Sequence, residues 1–247
     1  MATLDQLYVR VEAPPVVPHP YGLFSVAAPV TPGEPNWQTG VTWESWACLD
    51  PNTTTDQCIN GGAAPAAKEF EACPDTRSYK PITVYIGIKR NGQSMEVGSE
   101  QANTVLAGGE EYAIEKFLLA QLAAAVTEAA ALSPLGALAA VEMQLGQNYM
   151  GTGVIHMSRE TATRLSAQLV RNGDHIETLL GTPVAVGAGY AGTPVIYGTG
   201  AVAVRRGGVD IVSAWNTKIN DELVLAERTY VVGWDCYATG VLVAPAT

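Results

Sequence analysis

The chain has 247 residues, 47% of them apolar and only 15% charged, against about 25% charged in an ordinary soluble domain. That is enough for one large domain or two small ones with a sizeable core, and it excludes a disordered chain. The net charge of −10 excludes a nucleic-acid grip, which needs clustered Lys and Arg to displace counterions. The bases are scattered, with doublets only at Lys89-Arg90 and Arg205-Arg206. Low charge suits a surface that meets partner subunits rather than water.

Met1 to Arg10 is mixed and polar, without the apolar core of a secretory signal. Residues 1–36 carry Pro14, Pro15, Pro18, Pro20, Pro29, Pro32 and Pro35 and read as an extended arm. Residues 37–90 follow with little helical period. Val41 to Trp46 alternates like a strand, and Ile82 to Arg90 is a β-branched run ending at the turn pair Asn91-Gly92. The span between, 50–80, is rich in Pro, Thr, Asn, Asp, Gly and Ala and reads as a long excursion joining the two strands. From Gly108 the pattern turns helical. Glu110 and Glu111 sit where a first turn favours acids, and Tyr112, Leu118, Leu119, Leu122, Ala125, Val126 and Ala129 mark the apolar face. Ser133-Pro134 is an N-cap and first-turn proline that opens a second helix with Leu135, Leu138, Val141 and Leu145 at helical spacing. Val154 to Met157 reads as a buried strand. Ser158 caps a third helix with Ala162, Leu165 and Leu169 inward, Arg171 in its last turn and Asn172-Gly173 as its stop. Strands are expected over 182–188, 194–198, 200–205, 208–214, 223–232 and 237–243. The fold class is therefore α+β, without an internal repeat. The uncharged stretch Thr178–Val204 holds six glycines and two prolines; so many breakers argue against a membrane span and for strands.

Few motifs carry chemistry. Gly187-Ala-Gly189-Tyr-Ala-Gly192 matches the dinucleotide fingerprint, but Thr193-Pro194-Val-Ile-Tyr follows where a helix N-terminus is required. It reads as a glycine-rich turn. The cysteines at 48, 58, 73 and 236 form no C-x-x-C pair, which argues against zinc or thioredoxin chemistry. Cys48, Cys58 and Cys73 share the irregular excursion; they are free thiols or contribute one disulfide that staples it. Cys236 reads as a packed core residue. With three histidines there is little material for a metal or acid–base site. His156 reads as a strand-end polar residue and His175 as exposed, and no catalytic, metal-binding or cofactor-binding residue is singled out. Glu227-Arg228 reads as part of a polar or interface face. Trp37, Trp43, Trp46, Phe70 and Tyr79, with Arg90, are candidate contacts to a neighbouring subunit, since aromatics and Arg are enriched at interfaces. A local mini-core is the competing reading of the same aromatics.

The order Gly153-Val-Ile-His-Met-Ser-Arg-Glu-Thr-Ala-Thr-Arg-Leu, then Leu179-Leu-Gly-Thr-Pro-Val-Ala-Val, Val195-Ile-Tyr-Gly-Thr-Gly, Val202-Ala-Val-Arg-Arg-Gly-Gly-Val-Asp-Ile-Val and Asn220 to Asp235 with its Glu227-Arg228 pair resembles the C-terminal part of tailed-bacteriophage capsid proteins of the HK97 fold. The likeness spans about 109–247 and is strongest over 150–243. It implies an N-terminal arm (1–36), an extended β-hairpin E-loop (37–92), a peripheral domain with the spine helix (93–132 and 206–247) and an axial domain (133–205). It further implies a structural protein and not an enzyme. Identical copies form pentamers and hexamers and close into an icosahedral head, assembled in the host cytoplasm, that encloses double-stranded DNA without reading its sequence. Scaffold, portal and cement proteins are the further partners; no membrane or cofactor is implied. Some family members cross-link a Lys to an Asn between subunits. Lys68, Lys80 and Lys89 lie in the right region, and no local pattern singles one out. A minor capsid protein, an encapsulin-like compartment or a small enzyme built on the cysteine-rich or glycine-rich segment are the competing readings.

Overall fold

The computed structural model describes residues 17–49, 51, 75–91, 95–216, 218 and 221–245. Lys68, Phe70, Cys58 and Cys73, and with them most of the expected excursion, lie outside the described residues. So does the first part of the arm.

The described chain begins with the arm, which holds one short helix, α1 (Leu23–Val26). Strand β1 (Val41–Ser45) pairs antiparallel with β2 (Asp75–Tyr79). Strand β3 (Ile82–Asn91) does not complete this hairpin as the sequence suggested. It joins β10 (Val202–Asn216) and β11 (Asp221–Trp234) in a three-stranded sheet of order β10-β11-β3. The remaining strands are β4 (Ala129–Leu132), β5 (Val154–Ser158), β6 (Leu169–Asn172), β7 (His175–Thr178), β8 (Pro183–Gly187), β9 (Val195–Thr199) and β12 (Ala238–Val243). They form a seven-stranded sheet of order β4-β12-β9-β5-β8-β7-β6. In the division read from sequence, 206–247 stood apart from 133–205. The sheets divide the chain otherwise: β12 is an inner strand of the larger sheet, and Val202–Arg205 open the long β10 of the smaller one.

Helix α2 (Met95–Ala125) has 31 residues and spans roughly 46 Å at 1.5 Å per residue. It starts well before Gly108. Glycines 98, 108 and 109 disguise its first half, because glycine is a poor helix former. At Gly98 a Cβ would lie 3.0 Å from the Glu222 carboxylate and 3.0 Å from Val224 Cγ2, so the bare backbone lets α2 settle close on β11. The helix is held by tertiary packing rather than by propensity. Ala102 and Leu106 bury against Val224 and Ala226, and Ile114, Leu118 and Leu122 against Tyr230, Val231, Val232 and Trp234. The helix stops at Ala125 and the chain runs out parallel to β12 as β4, where helical periodicity had suggested more helix.

Helix α3 (Pro134–Asn148) starts at the expected cap: Gly136 N–H donates to Ser133 Oγ at 3.1 Å. Leu138, Val141 and Leu145 pack on Ile155, Val184, Ile196 and Val241, while Leu135 is exposed. Ser158 caps α4 (Arg159–Arg164) through Thr161 N–H. That helix is shorter than its pattern. Leu169 to Asn172 is strand β6, and Gly173, at φ 60°, opens a two-residue hairpin turn into β7 instead of stopping a helix. Strand β10 merges two expected strands through a bulge. Arg206 faces Tyr230 and Val209 faces Arg228, so β10 carries one extra residue at Gly207-Gly208.

Candidate inter-subunit surfaces

Three features of the single chain bear on what it can do for a neighbour: a clasped arm, a pinned hairpin and an open sheet face. The arm is held by carboxylates. Tyr21 takes φ 68° and turns the chain so that the first amides of α1 face α2. Leu23 N–H donates to Glu115 Oε1 at 2.9 Å, Phe24 N–H to Glu111 Oε1 at 2.7 Å, and Gly189 N–H to Glu115 Oε2 at 2.8 Å. Further along, Val30 joins β10 through Val30 N–H to Val204 O and Arg206 N–H to Val30 O, both 2.9 Å.

Glu115 is fully buried. Burial pushes its carboxyl up to about 7; the Gly189 and Leu23 amides pull it down, Glu111 raises it and Arg159 lowers it. Burial also raises Glu111, with Phe24 N–H opposing, Glu110 raising it and His19 lowering it. A carboxyl raised in the docked state binds a proton more tightly there than in the open state, so docking is strongest below the ordinary carboxyl value and is lost as pH rises through about 7. Each pKa unit is about tenfold in the opening equilibrium. Amide exchange of residues 21–30, corrected for intrinsic rates, is therefore expected to speed up between pH 5 and pH 8, and Glu115→Gln to flatten that profile. A local readout matters because global stability also contains His156. That side chain is wholly buried between Tyr190 Oη and Thr199 Oγ1, each at 3.0 Å. Desolvation lowers it to about 3, so its contribution falls away in the opposite direction, as pH drops below its ordinary value. It lies mid-strand in β5 and not at a strand end.

The hairpin base is pinned to the segment between β11 and β12. Tyr79 is buried, its ring 4.6 Å from Trp43 and 5.5 Å from Trp234, and its hydroxyl donates to Trp234 O. Cys236 N–H donates to Ser45 Oγ at 2.9 Å, and Met150 N–H to Ala47 O at 2.9 Å. Cys48 is bonded to Cys236, with Cα atoms 6.1 Å apart. The cysteine reading is thus corrected: Cys236 is buried but is half of a disulfide, and Cys48 pairs with it rather than with Cys58 or Cys73. The partner lies 188 residues away in sequence, beyond what cysteine spacing can reveal. Trp43 and Tyr79 serve the chain's own core, and Trp37 is half-buried against it. Trp46 stands 59% exposed. Arg90 lies on β3 opposite Glu222.

Among the described residues, α2 covers one face of the smaller sheet, and the other is covered only towards Val231 and Gly233, where the hairpin packs. Val84, Ile86 and Ile88 turn towards α2 with Val224 and Ala226. The other face, set by the register Tyr85↔Glu227, Val212↔Leu225 and Ala214↔Leu223, carries Tyr85 at 67%, Val212 at 58% and Leu223 at 46% exposure. The same face carries Asp210 and Glu227 beside Tyr85 and Lys89 beside Leu223, so its apolar part is the group Val212, Ala214, Leu223 and Leu225; exposed apolar side chains grouped with charges around them mark an interaction site.

The sequence missed the charge centre beneath this sheet. Glu110, in mid-helix rather than in a first turn, is buried and receives Arg228 Nη1 at 2.7 and 3.0 Å and Arg206 Nη1 at 3.3 Å. Arg228 therefore points inward to α2 while Glu227 shares the open face. The glycine fingerprint is likewise absorbed by packing. A Cβ on Gly187 would lie 2.2 Å from the Glu115 carboxyl carbon, and one on Gly189 2.7 Å from Tyr112 O. These glycines let α2 approach, and a 3₁₀ turn (Ala188–Tyr190) and strand β9 follow them. Among the described residues no group of His, Cys, Asp and Glu is arranged to hold a metal ion, and no helix is long and apolar enough to cross a membrane.

No protein-family model matches the chain, and no curated protein sequence does. Solved structures do. A chain from Mycobacterium phage Che8 superposes with a TM-score of 0.55 at 12% identity, covering 97% of this chain and 98% of that one. The capsid of Ralstonia phage GP4 gives 0.57 at 11% identity over 97% and 96%. The chain has the fold of a phage capsid. The capsid of the native GTA particle matches similarly, at 0.56 and 10% identity over 98% and 97%. Each of these matches extends over nearly the whole chain.

Proposed function

We propose that this chain is the shell protein of a phage head. Identical copies join in pentamers and hexamers, close into an icosahedral shell and enclose double-stranded DNA without reading its sequence. The observation that supports this most is the extent of the likeness: the match runs over nearly the whole of both chains. In this reading the larger sheet with α3 is the axial portion, and the smaller sheet with the first half of α2 the peripheral one. Segments 1–36 and 37–92, though anchored to this chain through Leu23, Val30, Tyr79 and β3, also supply contacts to neighbours. The open face of β3-β11-β10 is the seat for a neighbouring copy, with Trp46 and Arg90 as further contacts, and many modest contacts add through effective concentration. Scaffold, portal and cement proteins act on the same shell in the host cytoplasm.

Electron microscopy and light scattering of the purified protein test this. Closed shells are expected from the unmodified chain; a monomer that persists at high concentration overturns the reading. Val212→Glu with Leu223→Glu places two charges on the open face and is expected to abolish shells while leaving circular dichroism unchanged. Normal shells from that variant overturn the assignment of the face.

A further inference from the structure

A two-stranded hairpin is marginally stable by itself, and β1 and β2 have five residues each. On the side of the β11–β12 connection, what fixes this hairpin to the body falls into two classes. The Trp43-Tyr79-Trp234 packing, the Tyr79 hydroxyl and the Ser45 hydroxyl act in any redox state. The Cys48–Cys236 bond does not. It joins the chain just beyond β1 to the short segment linking the two sheets, so it fixes the end of β1 to the body.

We propose that Cys48–Cys236 is a redox-set lock on the hairpin, open as a dithiol in a reducing interior and closed by a low-molecular-weight disulfide outside it. That cytosol keeps thiols reduced is general; that this chain passes from cytosol to the exterior rests on the shell reading. Cys48 is half-buried while Cys236 is 6% exposed, so the Cys48 thiolate meets the incoming disulfide first. It attacks one sulfur and forms a mixed disulfide as one small thiol leaves. The Cys236 thiolate then displaces the second small thiol from Cys48. In sum, two protein thiols lose two protons and two electrons, and one small disulfide is reduced to two thiols. Until closure the hairpin hangs on packing and hydrogen bonds and can shift as copies settle; after closure its base is fixed.

The test uses the full chain with Cys58→Ser and Cys73→Ser, equilibrated in oxidised or reduced glutathione. Non-reducing peptide mapping is expected to recover a peptide linked through Cys48 and Cys236 in the oxidised sample alone. Amide exchange over 41–47 and 76–79 is expected to slow by at least about tenfold on oxidation, and Cys48→Ser to abolish the difference. If Cys48→Ser misfolds, the reduced parent chain supplies the open state. Equal exchange in both redox states, or thiols at Cys48 and Cys236 in the oxidised sample, overturns the lock. Failure to form shells overturns the shell reading and leaves these two readouts intact. Shells formed without any rise in melting temperature on oxidation overturn the lock's role in the particle.

Discussion

Glu110→Ala is expected to lower the unfolding free energy of the chain by about 3–5 kcal/mol, the cost of removing one partner from a buried ion pair. Glu110 sits in the middle of α2, its side chain 7% exposed, against Arg228 at 16% and Arg206 at 37%. Arg206 is open enough to rehydrate when its partner is removed. Arg228 is not: its Nε is buried without a hydrogen-bond partner, so the carboxylate is what makes its burial tolerable. Leaving it unpaired is the dominant cost. The joint replacement Glu110→Leu with Arg228→Leu is expected to recover much of the loss, because removing both charges also removes their desolvation. The exposed Glu160–Arg164 pair is the control, with a loss of about 0.3–0.5 kcal/mol. Urea unfolding measures all three. A Glu110→Ala loss no larger than that of the control sinks the claim that this centre fastens α2 to the small sheet.

The comparison between sequence and structure follows the range of the interactions. Ser133-Pro134 and Ser158 were legible because a cap is written within four residues. Strands β5, β8, β9, β11 and β12 were legible because burial gives each an apolar run. The start of α2 was hidden because its glycines serve the approach to β11, whose residues lie over a hundred positions later. Strands β4 and β6 are short, and pairing with β12 and β7 overrides what their periodicity suggested. The same holds for function. The open face emerges only once the register aligns Tyr85, Val212 and Leu223. Glu110 looked like a first-turn acid because its arginines are 96 and 118 residues away. The capsid resemblance came from the order of short local pieces, and order survives where long-range partners are invisible.

Gly189→Ala is expected to cost about 3 kcal/mol or more, for a reason opposite to the usual one. Glycine in a turn is ordinarily kept for a positive φ, as at Gly192, where φ is 79° and an added Cβ meets nothing within 4 Å. Gly192→Ala therefore costs only the left-handed backbone strain, roughly 1–2 kcal/mol. At Gly189 the backbone is unstrained and the space is missing. A Cβ there lies 2.4 Å from Glu115 Cβ, 2.7 Å from Tyr112 O and 2.8 Å from Lys116 N. Two of these are backbone atoms of α2 and cannot swing aside, so the turn and the helix must part. Overpacking of this kind costs about 1–3 kcal/mol. Parting also breaks the Gly189 N–H to Glu115 bond, which leaves a buried acceptor short of a donor at about 1–3 kcal/mol more. Because the same carboxylate holds Leu23 N–H, the arm should loosen with it, and limited proteolysis within 17–30 should accelerate in Gly189→Ala and not in Gly192→Ala. The reverse order of the two variants in urea unfolding excludes close packing as the reason for the fingerprint, since a loop kept for its turn geometry is hurt most at Gly192.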